Sequence, residues 1–134
     1  QMYIVQTPKE VSLFLAGRVR RIYLNVPHSA NPKPSWYGES TGHYENGDTL
    51  VVDTIGFNDK TWLDKVGHPH TDALHTVERF RRLDFGHLQL ELTIDDPKAY
   101  TKPWTVVETP SLMLDTELLE FVCNENEQDI KHIK

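Results

Sequence analysis

Histidine and carboxylate side chains, which bind metals and transfer protons, are concentrated between residues 67 and 82. The segment reads GHPHTDALHTVERFRR and holds His68, His70 and His75, with Glu78 three residues further on. Pro69 favours an extended backbone at the residue before it. His68 and His70 then lie on one side of the segment, about 6–7 Å apart at Cα, so that two imidazoles can share one ion. These histidines are the candidate ligands of a divalent metal.

The remaining ligand depends on the conformation that begins near His75. A helix would place His75 and Glu78 on one face, and Glu78 could then complete the metal shell. A strand would place them on opposite faces, and His43 would become the better extra ligand. The β-branched and aromatic residues of HTVERF favour the strand. The ligand types do not distinguish zinc, copper, iron and manganese.

A purely structural role for the same histidines is the alternative. They would then cap turns and pair on the surface with Asp64 and Asp72. The order His, His, Glu also resembles the first metal motif of the cupins. Seven residues separate His70 from Glu78, however, which is more than that motif has, and no second cupin motif follows.

A carboxylate inside an apolar strand is another chemical candidate. Asp53 interrupts LVVDTIGF, where alternation places it on one face with Val51, Ile55 and Phe57. If that face is buried, Asp53 needs an arginine or histidine partner, and the partner tunes its pKa as in many acid–base groups. If the face is exposed, Asp53 is an ordinary surface carboxylate. Asp53 and Glu78 are the candidate catalytic residues.

Aromatic and arginine side chains near the irregular stretches are candidates for ligand contact. The aromatic candidates are Trp36, Tyr37, Trp62 and Trp104. They suit the mouth of a pocket, or alternatively the plugged end of a barrel. Arginines cluster in RVRR and RFRR, and Arg79 of the second cluster could hold an acidic group of a ligand. The alternative is that these arginines pair with carboxylates across neighbouring strands.

The elements that must position these residues are short strands separated by turn residues. The strand-like runs are MYIVQT, VSLFLAGRVRRIYLN, GHYENGDTLVVDTIGF, LHTVERFRRL, HLQLELTIDD, PWTVVETP and ELLEFVCNE. Ala16-Gly17 and Asn46-Gly47 suit hairpin turns, and the second pair suits type I′. We therefore expect an antiparallel meander of eight or nine strands. Such a meander loses its edges by closing, so a lipocalin-like closed or nearly closed barrel is favoured, with a β-sandwich or cupin-like barrel as alternatives.

Length and composition bound the class of protein. The 134 residues suit one domain, spanning 1–134. A net charge of −6 argues against nucleic-acid binding, and no apolar run approaches the roughly 20 residues of a membrane helix. The single cysteine, Cys123, excludes a disulfide within the chain and indicates a buried thiol.

Five runs resemble a family of uncharacterised exported bacterial proteins. They are PSWYGES, GDTLVVDTIGFNDKTWLD, GHPH, ERFRRLD and TIDDPKAYTKPW, and the similarity extends from about Val5 to Asp129. The resemblance implies that the chain is the C-terminal part of a longer precursor and is exported to the periplasm or secreted. No activity is assigned to that family, so the resemblance carries over no catalytic residue.

Three functions are compatible with these patterns. The first is a small β-barrel module that carries a divalent metal on the His-Pro-His segment and binds or transforms a small molecule. The second is a metal-free barrel that binds an acidic or apolar small molecule. The third is a structural module that forms homo-oligomers through exposed strands. The sequence leaves open whether the protein is an enzyme.

Overall fold

The computed structural model describes residues 2–15 and 18–117, which form one eight-stranded sheet. The strands are β1 (Met2–Gln6), β2 (Glu10–Leu15), β3 (Arg18–Leu24), β4 (Glu39–Glu45), β5 (Thr49–Ile55), β6 (His75–Arg82), β7 (Leu88–Asp95) and β8 (Trp104–Glu108). They lie in the sheet in chain order. The all-β meander predicted from the sequence is confirmed. The predicted Ala16-Gly17 turn and the predicted strand ELLEFVCNE, with Cys123, lie outside the described residues.

The sheet curls toward the face that carries the apolar core. Leu13 on β2 and Phe80 on β6 belong to one buried cluster, although β3, β4 and β5 lie between them in the sheet. Ile22 on β3 and Leu50 and Val52 on β5 connect the two within the cluster. We call this side the concave face and the opposite side the outer face. The buried residues of the cluster are Val11, Leu13, Ile22, Leu50, Val52 and Phe80.

Strands β1 and β8 form the two edges of the described sheet. The described residues therefore form an open half-barrel, and a closed, lipocalin-like barrel stays a prediction. Self-assembly through exposed strands also stays a prediction. No helix in the described ranges is long and apolar enough to span a lipid bilayer.

One strand pair departs from the expected antiparallel order. Strands β3 and β4 run parallel, with Ile22 opposite Ser40 and Leu24 opposite Gly42. A parallel pair needs a crossover connection of about a dozen residues or more, and the proline-rich segment 25–38 is long enough. The expectation of an entirely antiparallel meander is wrong here, because the length of a loop does not reveal the direction in which the chain returns.

Two local predictions are confirmed by the backbone. Asn46 and Gly47 have φ angles of 52° and 76°, as a type I′ turn requires, and the Asp48 amide donates to the Glu45 carbonyl at 3.3 Å. Residues 75–82 form a strand rather than a helix. His75 and Glu78 consequently point to opposite faces of the sheet.

Candidate functional site

Strands β4, β5 and β6 place several polar side chains together on the outer face. Thr41 lies opposite Asp53, and Asp53 lies opposite Val77. Residues two apart along a strand share a face, so Glu39 stands beside Thr41 and His75 stands beside Val77. The ordinary alternation of three adjacent strands thus brings Glu39, Asp53 and His75 together.

The Asp53 carboxylate binds two imidazoles, one through each oxygen. Oδ1 lies 2.7 Å from His28 Nε2, and Oδ2 lies 2.7 Å from His75 Nε2. An ionised carboxylate only accepts, so both ring nitrogens donate. His28 belongs to the crossover between β3 and β4, which passes over the outer face at this point. We call His28, Glu39, Asp53 and His75 the Asp53 centre.

The second ring nitrogen of His28 also faces a carboxylate. Its Nδ1 lies 3.2 Å from Glu39 Oε1, and only a doubly protonated ring can donate to Glu39 and Asp53 at once. Glu39 also accepts from the Ser29 amide and the Ser29 hydroxyl, each at 2.6 Å. These bonds hold the crossover against β4 and fix the orientation of the His28 ring.

Both carboxylates of the Asp53 centre are held in the ionised form. Burial by itself would raise the pKa of Asp53, but the hydrogen bonds and positive charge of His75 and His28 outweigh it and lower that pKa. The hydroxyl and amide of Ser29, and then His28, lower the pKa of Glu39. At neutral pH, Asp53 is therefore a permanent acceptor that orients both imidazoles.

His75 is the member of the Asp53 centre with a ring nitrogen available for chemistry. Asp53 takes the proton on Nε2, which leaves Nδ1 as the basic nitrogen of a neutral ring. Within the described residues no hydrogen bond reaches Nδ1, and 38% of the His75 side chain is exposed. A histidine oriented by a carboxylate, with its other nitrogen open, can act as a general base.

The other candidate catalytic residue, Glu78, lies outside this centre. It faces the concave side, is 8% exposed, and accepts from Arg20 Nη1 at 2.9 Å and also from Nη2. Of the two candidate catalytic residues, only Asp53 has the histidine partners that suit proton transfer.

The three predicted metal ligands have three different partners. His68 Nδ1 lies 2.6 Å from Asp64 Oδ2, and His70 Nε2 lies 2.8 Å from Thr61 Oγ1. His75 binds Asp53 instead, and the extra candidate His43 lies 3.4 Å from Glu45. In residues 2–15 and 18–117, no three His, Cys, Asp or Glu side chains are arranged to hold an ion. A metal on the His-Pro-His segment stays a prediction.

The predicted ligand-contact residues do not line one common pocket. Trp36 lines a cleft of about 530 Å³, whereas Arg79 lines a separate polar cleft of about 390 Å³ and donates to Glu45. Trp62 is 71% exposed, and Tyr37 accepts from Arg18 at 3.2 Å.

Trp104 is half-buried on the edge strand β8 and packs against two neighbouring rings. Its ring centroid lies 5.9 Å from that of Tyr100 and 6.4 Å from that of His68. The Trp104 indole nitrogen is buried without a hydrogen-bond partner in the described part of the chain. The plugging role expected as an alternative for the aromatics stays a prediction.

Two members of the centre, His28 and Glu39, were not among the residues selected from the sequence. Counting back from a two-residue Asn46-Gly47 turn would put Thr41 opposite Val52 and Glu39 on the other face from Asp53, whereas the observed register pairs Thr41 with Asp53, so the sequence did not place Glu39 in the centre. His28 carries no local signal, because it reaches Asp53 through the crossover, and 25 residues separate the two along the chain.

Comparisons of this chain with protein-family models, with curated proteins and with solved structures find no match. The resemblance to exported bacterial proteins accordingly stays a prediction, and the function has to be argued from the geometry of the site.

Proposed function

We propose that the protein binds a small molecule at the Asp53 centre and transforms it, with His75 as the general base. One observation carries this proposal: a single carboxylate accepts from two imidazoles and leaves His75 Nδ1 open on the outer face. Asp53 is the positioning residue, because it fixes the tautomer and orientation of His75. His28, tied to Glu39, holds Asp53 from the other side.

The arrangement supports proton transfer without a metal. His75 Nδ1 takes a proton from a hydroxyl, a water molecule or an acidic C–H group of the bound molecule. The Asp53 carboxylate stabilises the imidazolium that forms, and the proton is returned to the product from the same nitrogen. A positioned acid–base group of this kind accelerates proton transfers about 10²–10⁴-fold.

Hydrolysis of p-nitrophenyl acetate, a general probe of reactive imidazoles, tests the base directly. We expect His75→Gln to lower the rate of the purified chain by about tenfold or more, and Asp53→Asn to lower it less. The matched control is His87→Gln, because His87 also pairs with an aspartate, Asp84, at 2.9 Å and is 51% exposed. A rate unchanged in His75→Gln, or lowered equally in His87→Gln, would contradict the proposal.

A divalent metal on the His-Pro-His segment is the second candidate, because His68 and His70 lie two residues apart on an extended segment. Binding there would replace the contacts of His68 with Asp64 and of His70 with Thr61 by coordination bonds. We expect metal analysis of the purified chain to distinguish the sites. Metal lost in His28→Ala plus His75→Ala would assign it to the Asp53 centre, and metal lost in His68→Ala plus His70→Ala would assign it to the His-Pro-His segment. A wild-type chain that stays free of metal after incubation with Zn²⁺ would exclude both sites for zinc.

A further inference from the structure

A cleft of about 530 Å³ opens at the end of the sheet that carries the Asp53 centre. Its lining residues precede β4, follow β5 and precede β6; they are Pro34, Ser35, Trp36, Asn58, Asp59, Lys60 and Asp72. The ends of these strands meet here, because Glu39 pairs with Ile55 and Thr54 pairs with Thr76. The cleft therefore adjoins the face on which His75 lies.

The walls of the cleft are fixed by backbone hydrogen bonds. The Ser35 amide donates to the Gly56 carbonyl at 3.0 Å, and the Asn58 amide donates to the Ser35 carbonyl at 2.8 Å. The Asn58 side chain then accepts from the Lys60 amide at 3.0 Å. These hydrogen bonds join the two loops to each other, so the cleft is preformed, as small-molecule sites usually are.

Trp36 supplies an exposed aromatic surface in this rigid setting. Its side chain is 59% exposed, although an indole is among the side chains that gain most from burial. The backbone hydrogen bonds of Ser35 hold its loop in place, so the ring stays exposed to solvent. An indole presented in a preformed cleft is suited to stack against the apolar face of a ligand.

The charges around Trp36 balance. The lining contains Asp59, Asp72 and Lys60, and Asp72 pairs with Lys98 at 2.6 Å, so two carboxylates face two ammonium groups. Neither an anion nor a cation finds an excess of opposite charge. The Asn58, Asp59 and Lys60 side chains instead offer donors and acceptors together around an aromatic surface.

We propose that this cleft binds a carbohydrate. A pyranose ring has an apolar C–H face that can stack on the Trp36 indole, and a rim of hydroxyl groups that both donate and accept. Its neutrality matches the balanced charges, and its rim matches the mixed donors and acceptors of Asn58, Asp59 and Lys60.

The cleft lies close enough to the Asp53 centre to present a bound sugar to it. Trp36 is three residues before Glu39, and Asp72 is three residues before His75, which is about 10 Å of extended chain in each case. This inference depends on the proposed function only in one respect, which is that it names a sugar as the substrate of the Asp53 centre. Sugar binding itself does not need His75.

Titration of the full chain with cellobiose and with maltose, followed by tryptophan fluorescence and by amide NMR shifts, tests the inference. We expect a saturable response to at least one of the two disaccharides in the wild type and its loss in Trp36→Ala. The matched control is Trp62→Ala, because Trp62 is also highly exposed but does not line the cleft. If Trp36→Ala fails to fold, Asp59→Ala, which alters an exposed lining residue, should weaken the NMR response in its place.

Three results would overturn the carbohydrate assignment. They are no saturable response to either disaccharide, an equal response to tetramethylammonium or acetate, and an equal loss in Trp62→Ala. His75→Gln separates the two proposals, because it should keep sugar binding and lose hydrolysis of p-nitrophenyl acetate. Hydrolysis without sugar binding would refute the carbohydrate site alone, whereas sugar binding without a role for His75 would refute the general base alone.

Discussion

Glu78→Ala is expected to destabilise the protein by about 3–5 kcal/mol, because it leaves the Arg20 charge buried on the concave face without a carboxylate partner. Arg20 Nη1 donates to Glu78 at 2.9 Å, Nη2 donates to Thr54 at 2.8 Å, and Nε donates to Ser40 at 3.1 Å. The Arg20 and Glu78 side chains are only 14% and 10% exposed. Without the carboxylate, two neutral hydroxyls are left to compensate a full charge.

Urea denaturation of matched variants measures this effect. Arg20→Met combined with Glu78→Met should recover much of the loss, because burying two apolar side chains costs less than burying one unpaired charge. Arg81→Ala is the control for an exposed pair, since Arg81 and Asp48 are 55% and 47% exposed, and it should change stability little. A Glu78→Ala midpoint no lower than that of Arg81→Ala would show that Arg20 finds solvent when its partner is removed.

Asp96→Ala is expected to cost about 3 kcal/mol, because several donors lose their acceptor together. Asp96 is 1% exposed and accepts from the Thr71 amide at 2.6 Å and the Thr71 hydroxyl at 2.9 Å. It also accepts from the amides of Lys98 at 3.1 Å and Ala99 at 3.2 Å. The carboxylate ties the segment before β6 to the turn after β7, so its loss should loosen the approach to His75.

The same carboxylate makes stability depend on pH. Burial would raise the pKa of Asp96, but the hydrogen bonds, those of Thr71 first, outweigh burial and hold that pKa below its ordinary value of 3.8. Because the folded pKa is lowered, the stabilisation is complete above the ordinary value and is lost as the pH falls through the folded pKa.

Thermal melts of the wild type, Asp96→Asn and Asp95→Ala between pH 2 and pH 7 would show this dependence. Asp96→Asn keeps the shape of the side chain without its charge, so it should be less stable at pH 7 and lose part of the acid sensitivity. Asp95, the last residue of β7, is half-buried and pairs with His75 in the neighbouring strand, and it serves as the control for loss of an adjacent carboxylate. Equal acid sensitivity in wild type and Asp96→Asn would mean that other carboxylates dominate the transition.

The positions of the described strands could be read from the residues alone, because side-chain alternation is a local property of an extended backbone. Leu88, Leu90, Leu92 and Ile94 follow this alternation through β7, and Asn46-Gly47 adopts the positive φ angles that its hairpin needs. The β-branched and aromatic residues of 75–82 favoured the strand over the helix, and the strand that forms separates His75 from Glu78.

The sequence left open whether Asp53 faces the core, where it would need a partner, or solvent. The structure places it on the outer face, 41% exposed, and gives it two histidine partners. His28 reaches Asp53 because the crossover 25–38 runs back over the outer face and makes β3 parallel to β4. Arg20 reaches Glu78 because its long side chain crosses β4 and β5 on the concave face, where it also donates to Ser40 and Thr54. Periodicity assigns a residue to a face within its own strand, whereas only the path of the crossover and the reach of side chains across the concave face decide which distant residues meet.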